Sequence, residues 1–136
     1  MDVQTLPAID QLAIHTLLGA YGHVIDERAW DQLHTLFTHD VIYDMTDFGL
    51  GRIQGIAAIR ALWIEQIPNH PLAHHATNIV ITAESNDRAR VLSKGLGVGH
   101  HGRVGSVVYR DVVHRERAGW LIAERVGQLR RPLVTT

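Results

Sequence analysis

The sequence predicts an α+β domain in which three N-terminal helices pack inside a strongly curved, mixed or antiparallel sheet that forms a cone. Two observations carry that expectation. Through the first half, apolar residues recur at three- and four-residue intervals; after Pro71 they fall into long strand-like stretches divided by turn signals. Helices followed by strands are the order of an α+β domain, not of a doubly wound parallel sheet. A third feature concerns shape: Gly95, Gly97 and Gly99 loosen the second long stretch, so the sheet is expected to bend there.

The elements follow in order. Ile9, Leu12, Ala13, Leu17, Ala20, Tyr21, Val24 and Ile25 form one helical stripe, which breaks at Asp26-Glu27-Arg28. A shorter helix follows with Trp30, Leu33, Leu36 and Phe37 on one side, ended by Thr38-His39-Asp40. Val41 to Met45 alternates like a short strand, and Phe48-Gly49-Leu50-Gly51 reads as a turn-rich connection. A third helix over 56–67 presents Ile59, Leu62, Trp63 and Ile67, and Pro68-Asn69-His70-Pro71 stops it. Four strands are then expected over 72–84, 88–100, 104–115 and 120–129, joined by turns at Ser85-Asn86-Asp87, His101-Gly102-Arg103 and Glu116 to Gly119. Repeats, linkers and low-complexity runs are absent, so residues 1–136 read as one domain.

Composition excludes several function classes. The formal net charge is -1 with a single lysine, Lys94, which argues against nucleic acid or a membrane surface as partner. No cysteine is present, so disulfides, thiolate nucleophiles and cysteine–metal sites are excluded. The N-terminus lacks a basic start and a long apolar core, and no apolar run reaches membrane-spanning length; a cytoplasmic location is the expectation. The ten histidines include the pairs His74-His75 and His100-His101. Neighbours on a strand point to opposite faces, so each pair offers one ligand to a given site, and no metal or other cofactor is expected.

His74 is the most informative residue. It lies in Pro71-Leu72-Ala73-His74-His75-Ala76-Thr77-Asn78-Ile79-Val80-Ile81, which otherwise reads as a buried strand. Burying an imidazole costs free energy unless its ring nitrogens find partners. Asp26, at the end of the first helix, is a candidate partner, and a carboxylate facing a histidine in a pocket is the minimal equipment for moving a proton.

The residues named so far, in their order, resemble the SnoaL-like branch of the nuclear-transport-factor-like, or cystatin-like, superfamily. The residues that carry the resemblance are Tyr21 to Asp26, then Trp30, Leu33, Phe37 and Asp40, then Gly51 and Gly55 to Ile59, then His74 to Asn78, then Gly119-Trp120 and Arg125. Within that fold the site is similar to those of scytalone dehydratase and hexachlorocyclohexane dehydrochlorinase, which pair an aspartate after the first helix with a histidine on the first long strand. The resemblance places those roles on Asp26 and His74, and the dehydratase's tyrosine at or near Tyr43. Ser93 and Lys94 occupy the region where the dehydratase has a further histidine, a departure from its pattern. Tyr21 matches the helix tyrosine of ketosteroid isomerase, whose catalytic aspartate would align with Met45. Asp44 is one residue away, on the opposite face of the strand, so that isomerase mechanism is disfavoured. The polyketide cyclases of the fold are harder to separate, since they too use a carboxylate in the cone.

The leading expectation is a small cofactor-free lyase, or an isomerase or cyclase, in which His74 and Asp26 abstract a proton from a hydrophobic oxygenated metabolite. Tyr43 and Tyr21 are candidates for binding its carbonyl. Asn78, on the His74 face of a regular strand, is either a further pocket residue or a bulge residue. Trp63 and Phe48 are candidates for an aromatic entrance suited to a flat or polycyclic guest. Tyr109, Asp111, Val113 and Arg115 share a strand face, and Arg115 is a candidate for an acidic substrate group. The alternatives are a non-catalytic small-molecule-binding domain and a dimerisation domain. Homodimerisation is expected through the outer sheet face, with His75, Thr77, Ile79 and Ile81 on it.

Overall fold

The computed structural model describes residues 5–132. Met1–Gln4, part of the segment read for a leader, lie outside them. The chain forms helix α1 (Ala8–Asp26), strands β1 (Phe37–Met45) and β2 (Gly51–Gln54), helix α2 (Ile56–Glu65), and strands β3 (Ala73–Ser85), β4 (Arg88–Val98), β5 (Val104–Glu116) and β6 (Gly119–Leu129). All six strands join one mixed sheet in the order β2-β1-β6-β5-β4-β3. Only β1 and β6 run parallel; the other neighbours are antiparallel. This is the α+β architecture the sequence predicts.

Helix α1 buries Ile14, Leu17, Leu18, Tyr21 and Ile25. Of the expected stripe only its second half holds: Leu17, Tyr21 and Ile25 are buried, whereas Ile9 and Leu12 are exposed and the first turns bury Ile14 and Leu18 instead. It lies against β3 at one edge of the sheet and β6 nearer the other, so the sheet curves around it. Its N-terminus is anchored by Asp10, which accepts two hydrogen bonds of 2.9 Å from Arg115 and one of 3.1 Å from Trp120 Nε1. A carboxylate in the first turn also suits the positive end of the helix dipole.

Two helices differ from expectation. The second is a 3-10 segment over Trp30–Thr35, and Phe37 belongs to β1, in register with Ile122. Trp30, Leu33 and Leu36 recur every third residue, the period of a 3-10 helix, and six residues are too few to sustain an α-helix. The third, α2, comes after the first two strands. Strand β2 was not foreseen: it is four residues long and opens with a glycine, so it reads as loop until paired with β1.

The expected role of the β4 glycines in bending the sheet is joined by a second one. The pairing of β4 with β5 is regular throughout. The glycines serve close packing: a Cβ on Gly95 would sit 2.5 Å from the Tyr109 ring, and one on Gly97 would sit 2.9 Å from Pro71. Register irregularities fall in β1 between Phe37 and Ile42, in β3 between Thr77 and Val80 and between Ala83 and Ser85, and in β6 between Ile122 and Glu124; the Thr77–Val80 and β6 irregularities bear on the site. Each bulge changes which face consecutive side chains occupy. In β3, His74 and Ala76 face inward; beyond Asn78, at φ 54, the inward residues are Ile79, Ile81 and Ala83. In β6, Trp120 and Ile122 are buried before the bulge and Arg125 after it. Ile79 and Ile81 thus pack against the core, contrary to the expectation that they face outward.

Candidate active site

Between α1, α2 and the concave side of the sheet lies a cavity of about 700 Å³, open to solvent and largely apolar. Helix α1 reaches β3 at Gly22, where a Cβ would lie 2.5 Å from the carbonyl oxygen of His74. Only glycine permits that approach. Asp26 is one turn further along the same helix face and therefore meets the same residue. Its Oδ2 accepts the His74 backbone N–H at 3.0 Å, and its Oδ1 lies 2.6 Å from His74 Nδ1. A carboxylate at that distance only accepts, so Nδ1 carries the proton and Nε2 is left as the basic nitrogen of a ring that lines the cavity.

His70 is a second imidazole on this wall, its ring centroid 6.1 Å from that of His74. Burial, and then the charges of His74 and Arg28, hold its pKa below the ordinary histidine value, against the opposing pull of Asp26. In the sequence His70 reads only as part of the helix stop; nothing in the pattern says that the loop Pro68–Pro71 turns back over the cavity.

At the floor, Tyr21 and Tyr43 share a hydrogen bond of 2.7 Å between their hydroxyls. Burial raises both pKa values well above the usual phenol range, so both stay neutral. The pair holds two hydroxyl hydrogens and one is used between them, which leaves one donor to spare. The Arg125 guanidinium lies 4.2 Å from the centroid of the Tyr21 ring and 3.9 Å from that of Tyr109. Asp111 holds it in a fork at 2.7 and 2.8 Å, and its Nη1 is buried with no hydrogen-bond partner among the described residues. A buried, unpaired guanidinium nitrogen is costly and marks a place where a guest oxygen would be welcome. Arg125 and its partner were not singled out as site residues, because only the β6 bulge turns Arg125 inward.

Of the residues expected at a site, Tyr43, Tyr21, His74, Trp63, Phe48 and Tyr109 line the cavity, with Asp26 directly behind His74. Trp63 lies deep instead of at the entrance: it is 2% exposed and packs edge-on against Tyr21 and Tyr43. Phe48 is at the open side, 37% exposed. Two residues are elsewhere. Asn78 is the exposed bulge residue, and the bulge ends its alternation with His74. Arg115 lies outside the cavity lining; its guanidinium is engaged by Asp10 and Asp87 and stacks on Trp120. Asp44 accepts hydrogen bonds from its neighbour Thr46, consistent with an outward-facing carboxylate. Among the described residues no group of three or more His, Asp or Glu side chains is arranged to hold a metal ion, and no helix is long and apolar enough to cross a membrane.

The family model of the SnoaL-like domain matches residues 7–126. The chain belongs to the SnoaL-like family. Solved structures agree. A protein from Novosphingobium aromaticivorans assigned as an aromatic ring hydroxylase is 32% identical, with 97% of this chain and 96% of that one covered and a TM-score of 0.78. A cystatin-like protein from Nostoc punctiforme is 20% identical over 96% and 98%, TM-score 0.81. The hexachlorocyclohexane dehydrochlorinase LinA-type3 from Novosphingobium barchaimii is 19% identical over 92% of each chain, TM-score 0.73. The last two likenesses establish the shared fold of this SnoaL-like chain. No curated protein matches its sequence.

Proposed function

We propose that this SnoaL-like protein is a small lyase or isomerase-type enzyme that works by proton abstraction, with His74 as base and Asp26 as its positioning partner. The observation that carries the reading is the 2.6 Å contact of His74 Nδ1 with Asp26 on the wall of an accessible cavity. The contact fixes one tautomer and one ring orientation, so Nε2 is presented to a guest with little reorganisation. As Nε2 takes a proton, Asp26 balances the charge the ring acquires. Negative charge developing on a guest carbonyl meets the spare hydroxyl hydrogen of the Tyr21–Tyr43 pair and Arg125 Nη1, both donors in a water-poor floor. If a leaving group sits beta to the lost proton, the result is elimination; if the anion is reprotonated elsewhere, it is isomerisation or ring closure. The guest is a hydrophobic oxygenated molecule, as the aromatic floor and apolar walls require.

A generic carbon-acid probe tests the base without knowledge of the natural substrate. In 5-nitrobenzisoxazole, a base removes the C3 proton, the C–H electrons form the nitrile, the N–O bond breaks and a phenolate leaves. No acid is needed. Wild-type protein is expected to accelerate this reaction, and His74→Gln to lose about 10²-fold or more of the rate with an unchanged circular-dichroism spectrum. Equal rates for wild type and His74→Gln would remove His74 from the chemistry. Guest binding without any acceleration by wild type would leave a small-molecule-binding protein.

A further inference from the structure

Charge is distributed unevenly around the cavity. Among the described residues its lining contains two arginines and five histidines and no aspartate or glutamate. Arg125 is already neutralised in place by Asp111. Arg103 is not: among the described residues its side chain takes part in no salt bridge and no hydrogen bond. An apolar chamber whose one uncompensated permanent charge among the described residues is a guanidinium at the opening selects for anions.

Arg103 also sits on a defined structure. The β4–β5 connection closes with a hydrogen bond from Gly99 N–H to Arg103 O at 2.6 Å and one from Arg103 N–H to His100 O at 3.3 Å. Two successive residues, His101 at φ 59 and Gly102 at φ 75, turn through the left-handed region. That conformation is unfavourable for a residue with a side chain, and such strain concentrates at ligand clamps. The outcome here is that His100, His101 and Arg103 all border the same opening.

The sheet register sets their distance from the base. His74 is paired with Gly97, and Gly97 with Gly105, so the three lie on one line across β3, β4 and β5. Two strand spacings across and two residues along place the Arg103 Cα about 12 Å from the His74 Cα. With an arginine's reach subtracted, that is the span of a one- or two-ring aromatic body. One guanidinium flanked by imidazoles matches the single charge and two oxygens of a carboxylate better than a phosphate, which brings more charge and more oxygens.

We propose that the loop His100–Arg103 is a carboxylate-binding subsite at the mouth of the cavity, and that the guest is an aromatic or bicyclic acid anchored there by Arg103. The acid-binding role that the sequence offered to Arg115 thus passes to a different strand end. The part of this proposal that sets the reacting carbon beside His74 rests on the proton-abstraction reading; the subsite itself does not.

The test is equilibrium binding of 2-naphthoate and its neutral isostere 2-naphthamide to the intact protein, by isothermal titration calorimetry. Wild type is expected to prefer the acid by about fivefold, a preference that shrinks with added salt. Arg103→Gln is expected to bring the acid-to-amide ratio close to one while the amide affinity is unchanged. Equal binding of the two ligands by wild type overturns the proposal. So does an acid preference that survives in Arg103→Gln, which would place the anion at Arg125. Since neither ligand turns over and His74 is intact in both proteins, a failure here leaves the proton-abstraction result standing, and loss of that activity in His74→Gln leaves this one standing.

Discussion

At the scale of single residues, the cavity wall carries a histidine whose proton affinity is depressed and whose ring faces a second histidine. For His70 the folded pKa lies below the unfolded value of about 6.5. Its neutral form is the one the fold accommodates, so the associated stability is fully present above pH 6.5. It is lost as pH falls through the folded value, because the unfolded chain binds the proton more readily. Urea midpoints measured from pH 7.5 to 5 are expected to fall in wild type and to fall less in His70→Gln. Asp10 behaves in the same direction at lower pH. Its pKa is depressed by the hydrogen bonds from Arg115 and Trp120, so its contribution is present above about pH 4 and disappears as it is protonated. The buried Asp111–Arg125 fork is a larger matter: Asp111→Ala strands a guanidinium that is 1% exposed and is expected to cost about 3–5 kcal/mol in equilibrium unfolding. How much of this was legible beforehand depends on the residue. His74 stood out because an imidazole in an apolar strand needs a partner, and the order of weak signals pointed to Asp26. Asp111 shared the Tyr109 face by simple alternation, and that face is buried. What spacing alone did not show was its partner: Arg125, like His70 and Arg103, owes its place to a bulge or a loop path.

Among the elements, α1 and β3 decide the site. Glycine inside a helix ordinarily costs about 1 kcal/mol relative to alanine. A Cβ on Gly19 would meet no atom within 4 Å, so Gly19→Ala is expected to stabilise by about 0.5–1 kcal/mol. Gly22→Ala gains the same propensity but drives a methyl into the His74 carbonyl, a clash with backbone worth about 1–3 kcal/mol. It is expected to destabilise in thermal melts and to slow benzisoxazole cleavage by moving Asp26 off His74. Opposite signs for two glycine-to-alanine changes three residues apart would identify the helix–strand contact as the determinant. The helical periods and the long strands were readable from apolar spacing. A bulge at Asn78 was one of the two readings its position allowed, and it is the one found; the β6 bulge had no such signal. Period-two reasoning assumes one unbroken alternation, which is why Ile79 and Ile81 were assigned to the wrong face.

For the whole molecule, the outer face of β3 and β4 carries Val80 at 57%, Leu92 at 41% and Leu96 at 36% exposure. We propose this face as the one through which two copies pair. Leu92→Glu is expected to convert a dimer to a monomer in analytical ultracentrifugation with the secondary structure unchanged; a monomeric wild type would dismiss the pairing. Fold class was legible at this scale because many weak signals agree in order. The placing of the Asp111–Arg125 pair at the cavity floor and of Arg103 at its mouth was not, since it depends on which strand ends meet.

The two oxygens of Asp26 serve different hydrogens of one neighbour: the main-chain hydrogen of an edge strand and the hydrogen on a ring. An asparagine in its place has a single acceptor. If that oxygen keeps the main-chain hydrogen, the amide group turns toward Nδ1 and must donate to it. The imidazole then has to move its own hydrogen to Nε2, and the nitrogen facing the chamber becomes a donor instead of an acceptor. Asp26→Asn is thus an inversion of polarity at the reacting position, achieved behind it and without touching it. The same exchange should be readable in ¹⁵N chemical shifts of the imidazole as a switch of tautomer.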